Sequence, residues 1–321
     1  MLRDDGKDVS YRWPYYSGVS NLICMSESDY ANDVLVSAEW VESHLDEFQK
    51  DDPAYRLLEV NNPTVTADSE YTPYEEGHIP GATFFDWDAD LSDNTTRDIL
   101  DKESFESLNA EAGITADSTV VIYGGGHVPN WFALFAYWEY KYFGHEDVRV
   151  LDGGKPYWVE NDYPLTTEVT EFTPQEYTAR GPFEGIRAYK DDVDQAIESG
   201  IPLVDVRSPE EFRGEILAPE GLDETAQRAG RIPGASNVPT ASVLDDDGTF
   251  KSAQELRELY ADHDVTDDQA VIAYCRVGER SAIAWFALHE LLGFDDVKNY
   301  DGSWTEWGNL IRAPIQTGSA D

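Results

Sequence analysis

Residues 271–292 read VIAYCRVGERSAIAWFALHELL, and they contain the pattern of a strand, a turn and a helix in that order. The first four residues are apolar and partly β-branched, which is typical of a short buried strand. Apolar residues recur at helical spacing over 282–292, and Gly293 is placed to end that helix. A buried strand that runs through a turn into a helix is the unit of a parallel sheet. Ligands bind such sheets beyond the carboxyl ends of the strands, so the turn at 275–281 is the expected functional site.

The same order of segments occurs twice in the chain. The five matches are LLEV at 57–60 with LVDV at 203–206, HIPGA at 78–82 with RIPGA at 231–235, VVIY at 120–123 with AVIAY at 270–274, WFAL at 131–134 with WFAL at 285–288, and VRVLDG at 148–153 with VKNYDG at 297–302. Five matches in one order indicate an internal duplication. We therefore expect an α/β protein with two tandem domains, each a parallel sheet with helices on both faces.

Composition divides the chain into four segments. Residues 1–30 lack the patterning of the rest, and they are expected to be a flexible leader or to include residues upstream of a true start at Met25. Residues 31–168 are expected to form the first domain and residues 186–321 the second. Residues 169–185 contain two prolines and two glycines, which is typical of a linker.

Acidity is the second global feature. Among the 321 residues, 64 Asp and Glu oppose 23 Lys and Arg for a net charge of −41, and only 8 of the basic residues are Lys. Such a chain lacks the cations that bind a nucleic-acid backbone or an anionic membrane, and it has no run of about 18 apolar residues to span a bilayer. The 9 Trp, 18 Tyr and 13 Phe supply a core and argue against disorder. The acid is therefore expected on the surface, as in extreme halophiles, where molar salt screens its repulsion.

The cysteines and histidines exclude several kinds of site. Two cysteines, Cys24 and Cys275, are too few for a disulfide framework. No apolar stretch near the N-terminus has the length of a secretory signal, so we expect a cytoplasmic protein with reduced thiols, in which Cys24 has no role. The six histidines are scattered without ligand spacing, so neither a metal nor a cofactor is expected.

The turn at 275–281, CRVGERS, places a cysteine between a buried strand and the start of a helix. The positive end of the helix dipole and two nearby arginines, Arg276 and Arg280, favour the thiolate, which is the nucleophilic form. Gly278 lets the loop curl so that its amides point inward and hold an anion. Cys275 is therefore predicted to be a nucleophile that forms a covalent intermediate with an anionic substrate. The alternative is a buried structural cysteine.

The CRVGERS loop, the Ile-Pro-Gly-Ala element of each half and DGSW at 301–304 resemble the tandem-domain rhodaneses, a family of thiosulfate sulfurtransferases. The resemblance extends from about residue 33 to about residue 318. It implies that the second domain is catalytic and the first is inactive, because GGGH at 124–127 occupies the place of the cysteine loop and contains no thiol. A glycine-rich run that opens a helix can also cradle phosphate, which is the alternative for this segment.

The resemblance implies a double displacement in which the Cys275 thiolate attacks the outer sulfur of thiosulfate and sulfite leaves. Cyanide or a thiol then takes the sulfur from the resulting persulfide. The expected partners are thus an anionic small-molecule sulfur donor and a thiophilic acceptor, and the oligomeric state is not predicted. Besides the nucleophile, the implied substrate-binding residues are those of the loop and one arginine after the first strand of the second domain: Arg276, Val277, Gly278, Glu279, Arg280, Ser281 and Arg213.

Three alternatives stay open for the activity. Thiosulfate-selective members of the family carry basic residues after the cysteine, and Arg276 fits that pattern, but Val277 departs from it and leaves 3-mercaptopyruvate as a donor. A persulfide carrier that serves a partner protein would use the same nucleophile. A cysteine-dependent phosphatase is the remote alternative, because such enzymes place five residues between cysteine and arginine, whereas four separate Cys275 from Arg280.

Three further side chains have two interpretations each. Arg213 either binds the substrate or forms a surface salt bridge. Arg207 is expected to tie its loop to the fold rather than to act in catalysis. Trp87 either covers the cleft from the first domain or packs in the core or at the interface.

Overall fold

Two parallel β-sheets, one in each half of the chain, form the framework of the protein. The computed structural model describes residues 30–66, 72–93, 95–219 and 226–319. The first half contains β1 (Leu35–Val36), α1 (Ala38–Ser43), α2 (Leu45–Phe48), β2 (Tyr55–Asn61), α3 (Pro63–Thr66), β3 (Ala82–Asp86), α4 (Trp87–Asp90), β4 (Ser92–Asp93), β5 (Asp98–Ile99), α5 (Lys102–Glu111), β6 (Thr119–Tyr123), α6 (Trp131–Tyr142), β7 (Val148–Leu151) and α7 (Gly154–Glu160).

The second half repeats this arrangement with shorter outer elements. It contains α8 (Lys190–Ser199), β8 (Leu203–Asp205), α9 (Pro209–Arg213), β9 (Ser236–Asn237), α10 (Ala253–Ala261), β10 (Val271–Tyr274), α11 (Glu279–Trp285), a π-helix (Phe286–Leu291), β11 (Val297–Tyr300) and α12 (Ser303–Trp307), with 3₁₀ turns at Glu184–Ile186 and Thr240–Val243. In the ranges that the structure describes, every helix is too short or too polar to cross a membrane.

The strand orders confirm the duplication. The first sheet runs β1-β7-β6-β2-β3 and the second runs β11-β10-β8-β9, and all neighbours in both sheets are parallel. A separate antiparallel pair joins β4 to β5. Arg187 forms a parallel bridge to Asn299 of β11, as Leu35 of β1 pairs with Val150 of β7 in the first sheet. The predicted α/β class and the two predicted central strands, β6 and β10, are therefore correct.

Alternate residues of the central strands face opposite sides of each sheet. In β6, Val120 and Ile122 lie in a core that both halves share, whereas Val121 and Tyr123 lie in a separate outer core. Strand β10 alternates in the same way between the shared core and an outer core of its own. Both faces of each sheet are covered, which explains why the central strands are apolar throughout.

The two halves pack through the shared core, chiefly where α6 meets α11 and the π-helix that follows it. The ring of Tyr137 on α6 meets the ring of Phe286 edge-on, with centroids 4.9 Å apart. Trp285 lies beside the same tyrosine at 6.4 Å. This packing brings the first half of the chain against the helix that follows the cysteine turn.

The helix after the turn differs from the prediction at both ends. It begins at Glu279 rather than at 282, because Gly278 takes φ = 100° and lets the chain enter the helix at once. It widens to a π-helix from Phe286 to Leu291. Gly293 follows at φ = 75°, in the left-handed conformation expected of a residue that ends a helix.

The predicted leader and linker are both in contact with the folded domains where the structure describes them. The leader prediction lies outside the described residues except at Tyr30, whose hydroxyl donates to Lys251 O at 2.9 Å. Residues 167–183, all of them described, contain no helix or strand. They follow the surface of the first domain instead: Gln175 N donates to Ala110 O at 2.9 Å, and Arg180 N donates to Phe143 O at 3.1 Å.

Candidate active site

Cys275 lies directly after β10, where the strand meets the turn. Its backbone N–H donates to Ser303 Oγ at 3.0 Å, and its carbonyl accepts from Trp304 N at 3.1 Å. Both partners belong to the start of α12, which follows the neighbouring strand β11. The end of one central strand is thus anchored to the end of the next, at the edge of the sheet where the sequence predicts a ligand site.

Gly278 allows the loop to fold back over the sulfur. A Cβ at this position would come within 2.5 Å of Asp301 Cα, and the residue has a positive φ, so only glycine fits without strain. The Gly278 N–H donates to the Cys275 Sγ at 3.1 Å. The predicted inward-pointing amide is therefore present at this position.

The ionisation expected for Cys275 is wrong in this structure. The pKa of the thiol is raised above its ordinary value, first because the side chain is fully buried and second because the Glu279 carboxylate is close. Arg280 and the backbone amides of Gly278 and Ser281 act in the opposite direction but do not outweigh burial. This shift favours the thiol form, which donates to Glu279 Oε2 at 3.6 Å.

Arg280 braces the loop through a buried ion pair. Its two terminal nitrogens donate to the carboxylate oxygens of Glu211 on α9, at 3.3 and 3.4 Å. Its guanidinium also lies 5.8 Å from the ring centre of Trp131, a residue of the first domain. Glu211 was not identified from the sequence. Its local pattern, Ser208 three residues earlier, marks a capping box that the structure contains, but that pattern does not reveal a partner 69 residues away.

Ser281 and Arg276 connect the loop to the elements around it. Ser281 Oγ lies 2.9 Å from Gly278 O and 2.6 Å from Asn299 Oδ1, so its hydroxyl links the turn to strand β11. Arg276 is buried, and its carbonyl accepts from Thr305 N at 2.9 Å.

A cavity of about 230 Å³ lies between the two domains at the outer side of the loop. Val277 and Asp301 line it from the second domain, and the first domain contributes Trp87, Asp88, Ser92, Arg97, Asp98, Ile99 and Phe135. The exposed Arg97 donates to Val277 O at 3.4 Å. Trp87 packs against the ring of Phe132 at 5.3 Å and also borders the cavity, so both of its interpretations apply.

The two arginines outside the loop have different surroundings. Arg213 donates to the exposed carboxylates of Glu215 and Glu210, at 2.7 and 3.2 Å. These contacts form the surface salt bridge that was one of the two interpretations of this residue. Its place in substrate binding stays a prediction. Arg207 is buried, pairs with Asp205 at 2.7 Å and donates to Gly230 O at 2.7 Å, so it ties its loop to the fold as expected.

In the first domain, Gly124 occupies the position of Cys275. The strand registers establish this equivalence, because Tyr123 pairs with Glu59 as Tyr274 pairs with Asp205. A Cβ on Gly124 would lie 2.5 Å from the carbonyl oxygen of Val60, so the site has no room for a cysteine.

Two amides of the glycine run at 124–126 already have hydrogen-bond acceptors. Gly124 N donates to Asn130 Oδ1 and Gly125 N to Asn61 Oδ1, each at 3.0 Å. These N–H groups are therefore not free to cradle phosphate, which argues against that alternative. Across the described ranges, no group of three or more His, Cys, Asp and Glu side chains is placed to hold a metal ion.

Comparison with known proteins gives matches over both halves. A family model described as "Rhodanese-like domain" matches residues 37–161 and 189–310. A Haloferax volcanii protein named "Putative thiosulfate sulfurtransferase" is 63% identical over 295 residues, covering 92% of this chain and 100% of that protein. The "Sulfur carrier protein TtuD" of Thermus thermophilus is 48% identical over 291 residues, covering 89% of this chain and 97% of its own.

Solved structures share the fold. The anaerobic ergothioneine biosynthesis enzyme from Chlorobium limicola, in complex with trimethyl histidine, superposes with a TM-score of 0.76 at 29% identity, covering 89% of this chain and 70% of that chain. A variant of the enzyme EanB with a cysteine persulfide, in a tetrahedral intermediate state with ergothioneine, gives a TM-score of 0.73 at 28% identity, covering 89% of this chain and 71% of that chain.

Proposed function

Because the chain belongs to the rhodanese family, we propose that it moves the sulfane sulfur of thiosulfate to a thiophilic acceptor through a persulfide on Cys275. The observation that carries this proposal is the position of the thiol, at the carboxyl end of a central strand inside a loop whose Gly278 amide donates to the sulfur. Two buried arginines, Arg276 and Arg280, follow in the same loop and complement an anionic donor.

The loop supplies what the covalent intermediate needs. Once deprotonated, the sulfur of Cys275 attacks the outer sulfur of thiosulfate, the bond between the two thiosulfate sulfurs breaks, and sulfite leaves with the electron pair. The amides of Gly278 and Ser281 then face an anionic persulfide and stabilise it as an oxyanion hole stabilises oxygen. A thiol or cyanide takes the outer sulfur in the second step and regenerates Cys275.

Access to the sulfur requires a local movement. Cys275 is fully buried, and the cavity between the domains meets the loop at Val277, two residues along the chain. We place substrate entry there, with the contact between Arg97 and Val277 O as the first to open. The reduced thiol that the reaction requires is the reason for placing the protein in the cytoplasm.

The first domain acts in this account as a wall of the cleft rather than as a second catalyst. The absence of space at Gly124, and the two asparagines that accept from the N–H groups of Gly124 and Gly125, support this role. The Trp87 side chain is part of the wall that the first domain contributes to the cavity.

A persulfide carrier is the second candidate function, and the similarity to the Thermus thermophilus sulfur carrier protein favours it specifically. A carrier would form the same persulfide from a donor but discharge it onto a partner protein. Small thiols and cyanide would then remove the sulfur slowly compared with the rate at which the persulfide forms.

Sulfite release in molar KCl tests the proposal, with thiosulfate as donor and either cyanide or dithiothreitol as acceptor. We expect turnover by the wild type, no turnover by Cys275→Ser, and unchanged turnover by Cys24→Ser. Sulfur transfer from 3-mercaptopyruvate, with none from thiosulfate, would identify 3-mercaptopyruvate as the sulfur donor. Hydrolysis of a phosphate ester without any sulfur transfer would favour the phosphatase instead.

A further inference from the structure

The proposed nucleophile lies in hydrogen-bond contact with a carboxylate as a thiol donor, and the thiol proton must leave before or during attack. Burial and the nearby Glu279 carboxylate raise the pKa of the Cys275 thiol. The side chain is 0% exposed, so bulk water has no direct route to the S–H group. The nearest acceptor for the proton is therefore a neighbouring side chain.

One carboxylate is positioned for this task. The Cys275 thiol donates a hydrogen bond to Glu279 Oε2 across 3.6 Å. Glu279 is itself only 2% exposed, and it is the first residue of α11, so the helix fixes its backbone relative to the sulfur. A buried carboxylate beside a nucleophilic sulfur is costly unless it is paired or takes part in the chemistry.

We propose that Glu279 is the general base that removes the proton from Cys275 as the sulfur attacks the donor. This inference rests on the proposed function and deepens it, because it assigns the acceptor of the proton in the first half-reaction. Glu279 acts directly in the reaction in this proposal, because its carboxylate contacts the reacting sulfur.

The proton and the electrons balance in both half-reactions. In the first, the proton moves from Sγ to the Glu279 carboxylate, a bond forms between Sγ and the outer sulfur of thiosulfate, and sulfite departs as the dianion. The protonated Glu279 can then donate to the persulfide anion instead of repelling it. In the second half-reaction the acceptor removes the outer sulfur, the Cys275 thiolate is expelled, and Glu279 returns the proton to it.

The charged side chains around Cys275 and Glu279 are themselves paired. Arg280 is the charged residue that interacts with both Cys275 and Glu279, and it is paired with Glu211 from α9; Asp301, after β11, lies against Gly278 of the same loop. Arg280 is already engaged by Glu211, and Asp301 by Arg187 at 2.7 Å. The proton transfer between Cys275 and Glu279 leaves the net charge of this cluster unchanged, so it needs no compensating movement of ions in the buried site.

Rapid-quench mass analysis of persulfide formation tests the assignment. Wild type, Glu279→Gln and the matched surface control Glu258→Gln are mixed with saturating thiosulfate in molar KCl, from about pH 7 to about pH 9, and the rate of sulfur gain is measured. Glu258 is an exposed glutamate on α10 and should behave as wild type. Thermal unfolding of each variant confirms that it is folded.

We expect a nearly flat dependence of the wild-type rate on pH, because Glu279 removes the proton within the step. We expect Glu279→Gln to be about 100-fold slower at pH 7 and to accelerate roughly tenfold per pH unit as hydroxide generates the thiolate. Equal or faster reaction of Glu279→Gln at pH 7 would overturn the inference, since the carboxylate would then only oppose ionisation.

If Glu279→Gln does not fold, the pH dependence of the wild-type rate of persulfide formation tests the role of Glu279. A wild-type rate that rises tenfold per pH unit would mean that preformed thiolate is the reactive species, and it would refute the base. Complete absence of sulfur gain by the wild type is a separate result. It would remove the proposed function itself, and the inference with it.

Discussion

The guanidinium of Arg280 and the carboxylate of Glu211 form a buried ion pair that joins the cysteine loop to α9, with nitrogen to oxygen distances of 3.3 and 3.4 Å. Glu211 is completely buried, and Arg280 is nearly so. Because the pair spans 69 residues of sequence, it fixes the start of α11 relative to the loop after β8. Arg280 is thereby held in place as a brace between the cysteine loop and α9.

Replacing Glu211 with Ala should therefore destabilise the protein by about 3–5 kcal/mol, because it leaves the buried Arg280 charge without a partner. Urea unfolding in molar KCl measures this loss. The matched control is the neighbouring Glu210→Ala, which removes only a surface salt bridge to Arg213 and should cost less than about 1 kcal/mol. Equal losses from the two adjacent substitutions would show that the pair does not brace the loop.

Gly124→Ala should destabilise the first domain by about 1–3 kcal/mol, because the new methyl group would lie 2.5 Å from Val60 O. The control is Gly185→Ala, where a Cβ meets no atom within 4 Å, and its stability should match or exceed that of wild type. Thermal unfolding in molar KCl compares the two variants. Wild-type stability of Gly124→Ala would mean that the site can accommodate a side chain and does not exclude a cysteine.

Asp152 gives a pH-dependent test of the domain interface. Burial, with the nearby Asp247 and Asp245, raises the pKa of this carboxyl to about 6, although Phe250 N of the second domain donates to its Oδ1 at 3.0 Å. The folded protein therefore keeps the proton to higher pH than the unfolded chain, and this group lowers stability as pH rises from about 4 to about 6.

Asp152→Asn keeps the Oδ1 acceptor and removes the charge. It should be more stable than wild type by about 2 kcal/mol at pH 8, and the difference should shrink towards pH 4, where the wild-type carboxyl is neutral. Urea unfolding of both proteins at several pH values in constant salt measures the difference. A difference that does not vary with pH would show that the charge of Asp152 is not the cause.

The net charge of −41 predicts a strong dependence of stability on salt. The Debye length is about 3 Å at 1 M ionic strength, so molar KCl should screen most repulsion between surface carboxylates. The midpoint of thermal unfolding should rise steeply between low and molar KCl. A flat response would argue against a halophilic adaptation, in spite of the similarity to a Haloferax volcanii protein.

The fold was largely readable from the sequence because its decisive features are local or repeated. The central strands β6 and β10 are apolar on both faces, and the duplication predicts two sheets of the same topology, as the structure contains. The place of Cys275 at the end of β10 followed from the same pattern. These features can be predicted without knowing which side chains distant in sequence are in contact.

The electrostatics of the site could not be read in the same way. The sequence places Arg276 and Arg280 next to the cysteine, and their charges suggest a thiolate, but burial of the sulfur and the carboxylate of Glu279 reverse the direction of the pKa shift. Glu211 was missed because its partner is distant in sequence. Burial and long-range pairing depend on the packed tertiary structure, which local patterns do not describe.

The central claim is that Cys275 carries the transferred sulfur, and intact mass measurement in molar KCl tests it most directly. Wild type and Cys275→Ser are each weighed before and after incubation with thiosulfate. The account predicts that only the wild type gains one sulfur atom, about 32 Da, and loses it again when cyanide is added. An unchanged wild-type mass, or an equal gain by Cys275→Ser, would contradict it.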